Sequence, residues 1–597
     1  MEAALDVSWR RLAAEQQRAF QALTVFRGGF TRTAALEVAS ASLPLLVTLV
    51  NKSWLIYDRQ NDRYHIHELL RQYGAGKLSA DPAQEQEVRK KHSTYFCGYL
   101  QKREADWFGP RQQEAAAEIR DEIDNIQPAW RWAANDRNEV LLEQGLNSLC
   151  HFYYWEGRLK DGELACGLAD KALSSSTVEQ QGDSERLLAL LSQVLAWESD
   201  FVHDVARKEE LLGQSQKLLD RAAQKGRDTR TEQAFLFLYK SYAASLTDLE
   251  QAIRFASLGL EIFRDLDNRI GEAETLRVIG DNQLFQGNHA LSDAFLHNAL
   301  NLSKQLGDSR GMADTLASLG MAARHIGDYQ SAEAFLRQSV TLYRRTGNRY
   351  YEESRLVALS IVLTWAGKFL AARETVEEAI EIARDLGQYP DPFALNALTV
   401  ATYHFGSYGD AQAVALESLD LARQKGILLQ TGWALENLGE ISFVMGDIEQ
   451  AQEYLQESVT IMEVLGHVYK TLALAALGYV LRALGEIGPA RHSLQSALRV
   501  GVKKQSISPI LLCLPAAALL AADADRPERA LELYSLARQF GYIRNSRWFA
   551  DVACRELDEV RASLAAEKAA EAAARGREMD VWETAETLLR ELNGGWQ

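Results

Sequence analysis

The sequence predicts a mainly α-helical protein whose largest part is a solenoid of stacked helical hairpins, and three observations support this fold class. A pattern of residues recurs along the chain with a period of about 40, which is typical of a repeat array. Within each copy, apolar residues recur at helical spacing. Only 10 prolines occur in 597 residues, as suits a chain that is nearly all helical. The repeat is marked by one glycine in each of six copies: Gly287, Gly327, Gly367, Gly406, Gly446 and Gly485.

Each copy is predicted to be a pair of helices. Apolar residues follow a helical period before Gly327, as at Leu316 and Leu319, and again after it, as at Phe335 and Val340. The Gly-Asp or Gly-Asn pair between the two runs ends one helix and caps the next. Four copies carry a further glycine in the middle of the first helix, where it costs about 1 kcal/mol relative to alanine, so we expect the partner helix to approach closely there. These four are Gly280, Gly320, Gly439 and Gly478.

The array is predicted to extend well beyond the clearest copies. One hairpin cannot bury its apolar face alone, so the hairpins must stack. Residues 137–597 are therefore predicted to hold about 10 or 11 hairpins, degenerate at both ends as terminal repeats usually are. The weaker copies lie at 139–176, 183–225, 231–270 and 511–540.

The first eighty residues do not carry the repeat and predict a winged-helix domain, 1–80. Three helical segments are followed by a β-hairpin with a polar tip and then by a closing helix, which is the layout of a winged helix. A helical linker, 81–136, joins this domain to the array. The segments are helices at 13–26, 31–40 and 43–54, a hairpin at 55–66 and a helix at 67–78.

The repeat resembles the tetratricopeptide (TPR) repeat, whose L-G-x-x-x-x-x-x-G-D-Y-x-x-A pattern is matched by Leu319, Gly320, Gly327, Asp328, Tyr329 and Ala332. The period of about 40 departs from the usual period of about 34. The longer period resembles the arrays of bacterial signal-transduction ATPases with numerous domains (STAND). Residues 1–80 also resemble the winged helix of that class, through the runs 24–31, 49–55 and 63–74, and 122–133 resembles the helix before its repeats.

This resemblance implies the C-terminal half of a STAND regulator, in which an NB-ARC-type nucleotide-binding domain lies upstream. The sequence itself contains no G-x-x-x-x-G-K-[ST] phosphate loop. The G-x-S-x-G match at Gly307–Gly311 follows a helix rather than a strand, so it does not predict a nucleophile elbow. His65 and His67 could share a face, but no third metal ligand is evident. We therefore predict no enzyme activity, no catalytic residue, no metal and no cofactor.

Charge and composition limit the partners and the compartment. The net charge is −17, whereas residues 1–80 carry 10 basic and 7 acidic residues, a balance of +3 that leaves −20 for the rest. An acidic chain disfavours nucleic acid as a partner, and the helix that would enter the major groove offers only Asn51 and Lys52. The apolar run at 43–50 is far too short to cross a membrane. Five scattered cysteines give no disulfide framework, which predicts a cytoplasmic protein.

The binding surface is predicted on the concave face, which the first helix of each hairpin lines. Positions six and three residues before the mid-helix glycine, and one and four after it, should face the concavity. We expect the large aromatic side chains among them to be exposed there and the array to wind far enough to enclose a cavity. The predicted ligand-binding residues are Arg277, Asp281, Asp314, Arg324, Asn396, Tyr403, Trp433, Glu436, Glu440, Phe443, Tyr479 and Arg482.

The sequence therefore predicts a sensing module whose concave face binds a peptide, a protein or a small molecule. Binding would release an upstream nucleotide switch by shifting its population of states. Two alternatives stay open. One is a static scaffold that docks a partner protein, and the other, which we favour less, is a DNA-binding regulator acting through the winged helix.

Overall fold

The computed structural model describes residues 2–174, 185, 187–194, 205–245, 248–466 and 469–594. The fold is mainly helical and built of helical repeats, as the sequence predicts. The chain divides into two compact units, Met1–Tyr239 and Lys240–Gln597.

The first unit begins with four helices and a β-hairpin, and the last three of these helices and the hairpin follow the predicted order. Strands Ile56–Asp58 and Arg63–His65 pair antiparallel, with Tyr57 opposite Tyr64. Among the described residues no single helix could span a membrane, and the one pair that is long and apolar enough together is bent by 104°. That pair is Arg32–Ala39 and Leu43–Asn51. The unit's other helices are Glu2–Trp9, Ala14–Leu23, Glu68–Ser79, Pro82–Gln101, Gln112–Asn135, Glu139–Trp155, Leu159–Ser174, Val205–Gln224 and Arg230–Ala244, the last ending beyond Tyr239, with a 3-10 turn at Ala105–Phe108.

The helix Gln112–Asn135 fixes the turn after the second helix. Asn125 accepts a hydrogen bond from the Arg27 backbone amide at 2.7 Å and donates one to the Gly29 carbonyl at 2.9 Å. Glu122 on the same helix forms a bidentate ion pair with Arg63 of the β-hairpin, at 2.6 and 3.0 Å. The first eighty residues and the following helix therefore pack as one body. The predicted weak repeat at 183–225 lies partly outside the described residues.

The second unit contains seven consecutive hairpins between residues 269 and 537, preceded by helix Leu249–Asp265. In each hairpin we call the earlier helix the first helix. The first helices are Arg269–Gln286, Ser309–Ile326, Arg349–Trp365, Pro392–Phe405, Leu428–Met445, Lys470–Ala483 and Ile507–Asp523. Their partners are His289–Leu306, Tyr329–Thr346, Phe369–Asp385, Tyr408–Gln424, Ile448–Val464, Ile487–Lys504 and Pro527–Ala537.

The mid-helix glycines allow the close packing that their recurrence predicts. A Cβ atom added at Gly439 would lie 2.5 Å from Leu455 of the partner helix, and one added at Gly320 would lie 2.9 Å from Leu336. The glycines between the two helices are left-handed caps, with φ of +88° at Gly327.

A C-terminal segment, defined here as residues 504–549, packs against the ends of four first helices. It approaches the glycine that caps each of these helices. Lys504 is next to Gly287, Ile507 is next to Gly327, Gly541 is next to Gly367, and Arg547 is next to Gly406. Helix Ile507–Asp523 within this segment is buried all round from 507 to 521, as expected of a helix in the centre of a protein. The chain ends with a π-helical turn, Ala550–Cys554, and helices Arg555–Ser563, Ala566–Glu578 and Val581–Gly594.

Candidate ligand-binding cavity

A cavity lies between the first helices of five consecutive hairpins, from 309 to 483, and the C-terminal segment. Its volume is about 60 Å³. The cavity is therefore narrow. Ser506, Ser508, Pro509, Leu512 and Tyr542 of the C-terminal segment form one side of it.

Five of the twelve predicted ligand-binding residues line this cavity: Arg324, Tyr403, Trp433, Glu436 and Glu440. They come from three first helices, Ser309–Ile326, Pro392–Phe405 and Leu428–Met445, which are two repeats and one repeat apart in sequence. Stacking of hairpins in register brings equivalent positions to the same side of the array, which is why the repeat spacing locates them.

The two glutamates form a buried acidic pair one helical turn apart. Glu436 is 5% exposed and Glu440 is 3% exposed. Glu440 accepts a very short hydrogen bond from the Tyr403 hydroxyl, whereas Oε2 of Glu436 has no hydrogen-bond partner among the described residues. Burial raises the pKa of both carboxyls, and the charge of Glu440 raises the pKa of Glu436 further.

Arg324 brings a positive charge to the cavity wall. Its side chain is half-buried and lines the cavity beside His325. Within the described part of the chain, no ion pair or hydrogen bond of the Arg324 guanidinium is present. The cavity thus contains an unpaired cation as well as an unpaired carboxyl.

Aromatic side chains supply most of the remaining wall. Trp433 lies between Phe393 and Tyr469, with ring centroids 5.6 and 6.1 Å away. Trp365 stacks on Tyr542 of the C-terminal segment with centroids 4.2 Å apart.

His404 forms hydrogen bonds with the C-terminal segment beside the cavity. Its Nδ1 lies 2.7 Å from the Ser546 hydroxyl, and its Nε2 lies 2.8 Å from the Tyr542 hydroxyl. Burial lowers the pKa of His404 to about 3, so the ring is neutral and each of these bonds is between uncharged groups.

Three predicted residues lie in a separate charged network. Arg277 forms ion pairs with Glu274 and Asp281, both at 2.8 Å, and donates to the Tyr242 hydroxyl at 2.6 Å. Asp314 accepts hydrogen bonds from Tyr343 at 2.5 Å and Arg355 at 2.9 Å. The network joins neighbouring hairpins, and Arg277, Asp281 and Asp314 do not line the cavity.

The other four predicted residues also lie outside the cavity lining. Asn396 is fully buried and donates to the Gln430 carbonyl at 3.2 Å. Phe443 is half-buried against the core. Tyr479 donates to the Leu512 carbonyl at 2.9 Å. Arg482 forms ion pairs with Asp523, at 2.6 Å, and Glu556.

The expectation that the aromatic side chains are exposed on a concave wall is wrong. Tyr403 and Tyr479 are each 2% exposed and Trp433 is 9% exposed, and Phe443 is half-buried. The physical reason is the C-terminal segment, which covers this part of the first helices. Trp548 of that segment, for example, donates from its ring to the Glu440 carbonyl at 2.9 Å.

Several lining residues were left out of the predicted set, although the same counting reaches four of them: Ile361, Thr364, Val400 and Leu472. Ser360 replaces the mid-helix glycine in the hairpin that contains Gly367. The same counting from Ser360 gives Ile361 and Thr364, and both line the cavity. Tyr542 comes from outside the repeat pattern, so no period could have placed it.

The cavity has buried polar groups that a ligand could satisfy. In the described ranges, no group of three histidine, cysteine or acidic side chains could hold a metal ion. Buried polar groups without partners cost free energy, so a ligand that supplies complementary groups would be stabilised here.

Comparison with known proteins supports the repeat assignment. Residues 282–345 and 430–500 match the tetratricopeptide repeat family. The chain therefore contains tetratricopeptide-type repeats. Three mycobacterial proteins named HTH-type transcriptional regulators, from Mycobacterium tuberculosis and Mycobacterium bovis, are 27% identical over 171 residues. The match covers 27% of this chain and 19% of each relative, so the chain spans about a fifth of their length.

Solved structures with similar helical arrays include a STAND protein with a tetratricopeptide repeat sensor from Pyrococcus horikoshii. It is 14% identical with a TM-score of 0.43, over 71% of this chain and 66% of that one. A Rap protein complexed with Competence and Sporulation Factor is 15% identical with a TM-score of 0.46, over 64% and 99%. The quorum sensor NprR from B. thuringiensis is 14% identical with a TM-score of 0.40, over 64% and 100%.

Proposed function

We propose that the chain is a ligand-sensing module and that the cavity beneath the C-terminal segment is its binding site. One observation carries the proposal: side chains from successive repeats converge on a cavity that contains an unpartnered carboxyl oxygen of Glu436. A ligand that satisfies this oxygen would offset the cost of burying it. The site binds its ligand without chemical turnover.

We further propose that the module follows a nucleotide-binding domain in a longer protein, as its resemblance to STAND regulators implies. The proposed boundaries are a winged helix at 1–80, a linker at 81–136 and the array at 137–597. Because the C-terminal segment forms one side of the cavity, an occupant would change the contacts of that segment. A ligand with different affinities for two states of the segment would shift their populations.

The two alternatives are less well supported. A static scaffold needs an open concave surface, whereas the C-terminal segment covers the first helices from 309 to 405. For a DNA-binding regulator, the exposed face of helix Leu43–Asn51 is mainly apolar, with Leu43 38% and Val47 46% exposed. The ammonium of Lys52, one of the two predicted DNA contacts, donates a hydrogen bond to the Gln16 side chain at 2.9 Å.

The proposal is tested by filling the cavity. Val400 lines it and is half-buried, so Val400→Trp should occupy the space that a ligand needs. Val464→Trp is the matched control because Val464 is 78% exposed. A ligand at about a hundred times its Kd stabilises a protein by about 2.7 kcal/mol, so thermal shifts against a panel of peptides and metabolites give the readout.

We expect compounds that raise the melting temperature of the wild type and of Val464→Trp to leave Val400→Trp unshifted. If such compounds shift Val400→Trp by the same amount, the cavity is not the site. If no compound shifts any of the three proteins, the sensing proposal fails in favour of the scaffold.

A further inference from the structure

Glu436 and Glu440 present two carboxyls to the same side of one helix. They are four residues apart on helix Leu428–Met445, which places them one above the other. Tyr403 donates to Glu440, but Oε2 of Glu436 meets no donor in the described part of the chain. A buried acceptor with a free lone pair is satisfied best by a charged donor.

Among the described residues, no positively charged side chain is paired with either carboxyl. The one charged group that influences the pKa of Glu436 is Glu440, which is also acidic. Arg324 lines the cavity, yet among the described residues it forms no ion pair with either carboxyl. In its ionised form the pair therefore favours a positive ligand group over a neutral or negative one.

The surroundings select an organic cation over a metal ion. Trp433, Tyr469, Tyr403 and Tyr542 line the cavity, and aromatic faces attract ammonium and guanidinium groups. Calcium needs six to eight oxygen ligands, whereas the described residues include no group of three acidic, histidine or cysteine side chains arranged for a metal.

We propose that the cavity recognises a positively charged nitrogen group of its ligand, a primary ammonium or a guanidinium, by holding it between Glu436 and Glu440. This inference rests on the proposed function and names the ligand class of the same site. Two sources share this chemistry: a lysine or arginine side chain of a peptide, and a free amine.

Binding of such a group is coupled to proton release. Burial raises the pKa of both carboxyls, that of Glu440 to about 7, and the charge of Glu440 raises the pKa of Glu436 further, so the pair binds a proton as the pH falls through 7. A cation requires the ionised form and therefore displaces the proton. Affinity should rise between pH 6 and pH 8.

The other titratable groups around the pair do not account for such a rise. Burial lowers the pKa of His325 and His404 to about 3, and it raises the pKa of Tyr403, Tyr479 and Tyr542. Arg324 and Tyr469 complete the charged and titratable side chains that face the cavity.

The test uses isothermal titration of the full chain with agmatine, putrescine and the blocked tripeptide acetyl-Gly-Arg-Gly-amide at pH 6 and pH 8. Glu436→Gln keeps the shape of the neutral side chain and removes the ionisable group. The control is Glu449→Gln with Glu453→Gln, a pair that is also four residues apart but exposed on the next helix.

We expect at least one probe to bind the wild type and the control more tightly at pH 8, with proton release. Glu436→Gln should weaken that binding by about tenfold to a hundredfold and reduce the pH dependence to that of Glu440 alone. Binding of the free amines but not the tripeptide identifies a small amine as the source, and the reverse identifies a peptide.

The inference is overturned if no cationic probe binds the wild type, or if Glu436→Gln binds as tightly as the wild type. A neutral or anionic compound that binds the wild type but not Val400→Trp would then leave the proposed function standing without this inference. If Val400→Trp does not weaken the binding of any compound, the proposed function and this inference both fail.

Discussion

Trp433 serves at once as a wall of the cavity and as a core residue. It is 9% exposed and packs in the hydrophobic cluster around Val357 and Met462. Truncation of a buried tryptophan to alanine costs about 3 to 5 kcal/mol, so Trp433→Ala should lower the free energy of unfolding by about 3 kcal/mol. Urea denaturation, monitored by far-UV circular dichroism, measures this change in the free energy of unfolding.

Arg324→Ala is the comparison for this change. The Arg324 side chain lines the same cavity but is half-buried and has no ion pair in the described ranges. We expect its removal to change the free energy of unfolding by less than about 1 kcal/mol. Equal denaturation midpoints for Trp433→Ala and the wild type would show that the tryptophan is not packed as described.

Residue positions on the first helices were predictable, whereas their burial was not. The repeat spacing identified Trp433 and Glu436 because it reports which side of a helix a residue occupies. It could not report that Tyr479 bonds to the Leu512 carbonyl, 33 residues further along the chain. Contacts with the C-terminal segment depend on the curvature of the whole array, which a local pattern does not encode.

Some helices of the array begin at a residue whose short side chain caps them, and others do not. Asp328 accepts a hydrogen bond from the Ser331 amide at 3.1 Å at the start of helix Tyr329–Thr346. Asp447 occupies the equivalent place before Ile448–Val464, but its side chain makes no capping bond. Element boundaries were therefore predictable from sequence, because glycine stops and aspartate caps are local signals.

This pair of caps gives a prediction at the scale of single helices. Loss of a capping side chain costs about 1 kcal/mol, so Asp328→Ala should lower the free energy of unfolding by about that amount. Asp447→Ala should cost less, because it removes a charge near a helix start but no hydrogen bond. Urea denaturation compares the two variants, and an equal loss in both would mean that the capping bond contributes nothing.

At the scale of the whole molecule, the C-terminal segment makes the second unit differ from a simple solenoid. In a solenoid each repeat contacts only its neighbours, so stability is a sum of local terms. Here residues 541–549 contact hairpins that begin about 150 to 190 residues earlier, through Gly367 and His404. The unit should therefore unfold more cooperatively than an open array of the same length.

Gly541→Ala tests this long-range docking. The added methyl group would overlap with the Ala366 carbonyl oxygen, so the backbone would have to shift. Overpacking of this kind costs about 1 to 3 kcal/mol, so the urea midpoint should fall. Hydrogen exchange should accelerate both in 541–549 and in helix Pro392–Phe405, because His404 is bonded to Ser546 and Tyr542.

Gly488→Ala, at an exposed helical site with open space around it, is the matched control and should be neutral or stabilising by up to about 1 kcal/mol. If Gly541→Ala behaves like Gly488→Ala, or if exchange accelerates in 541–549 alone, the segment does not hold the distant hairpins together, because a docked segment must transmit its loss to the helix that it covers.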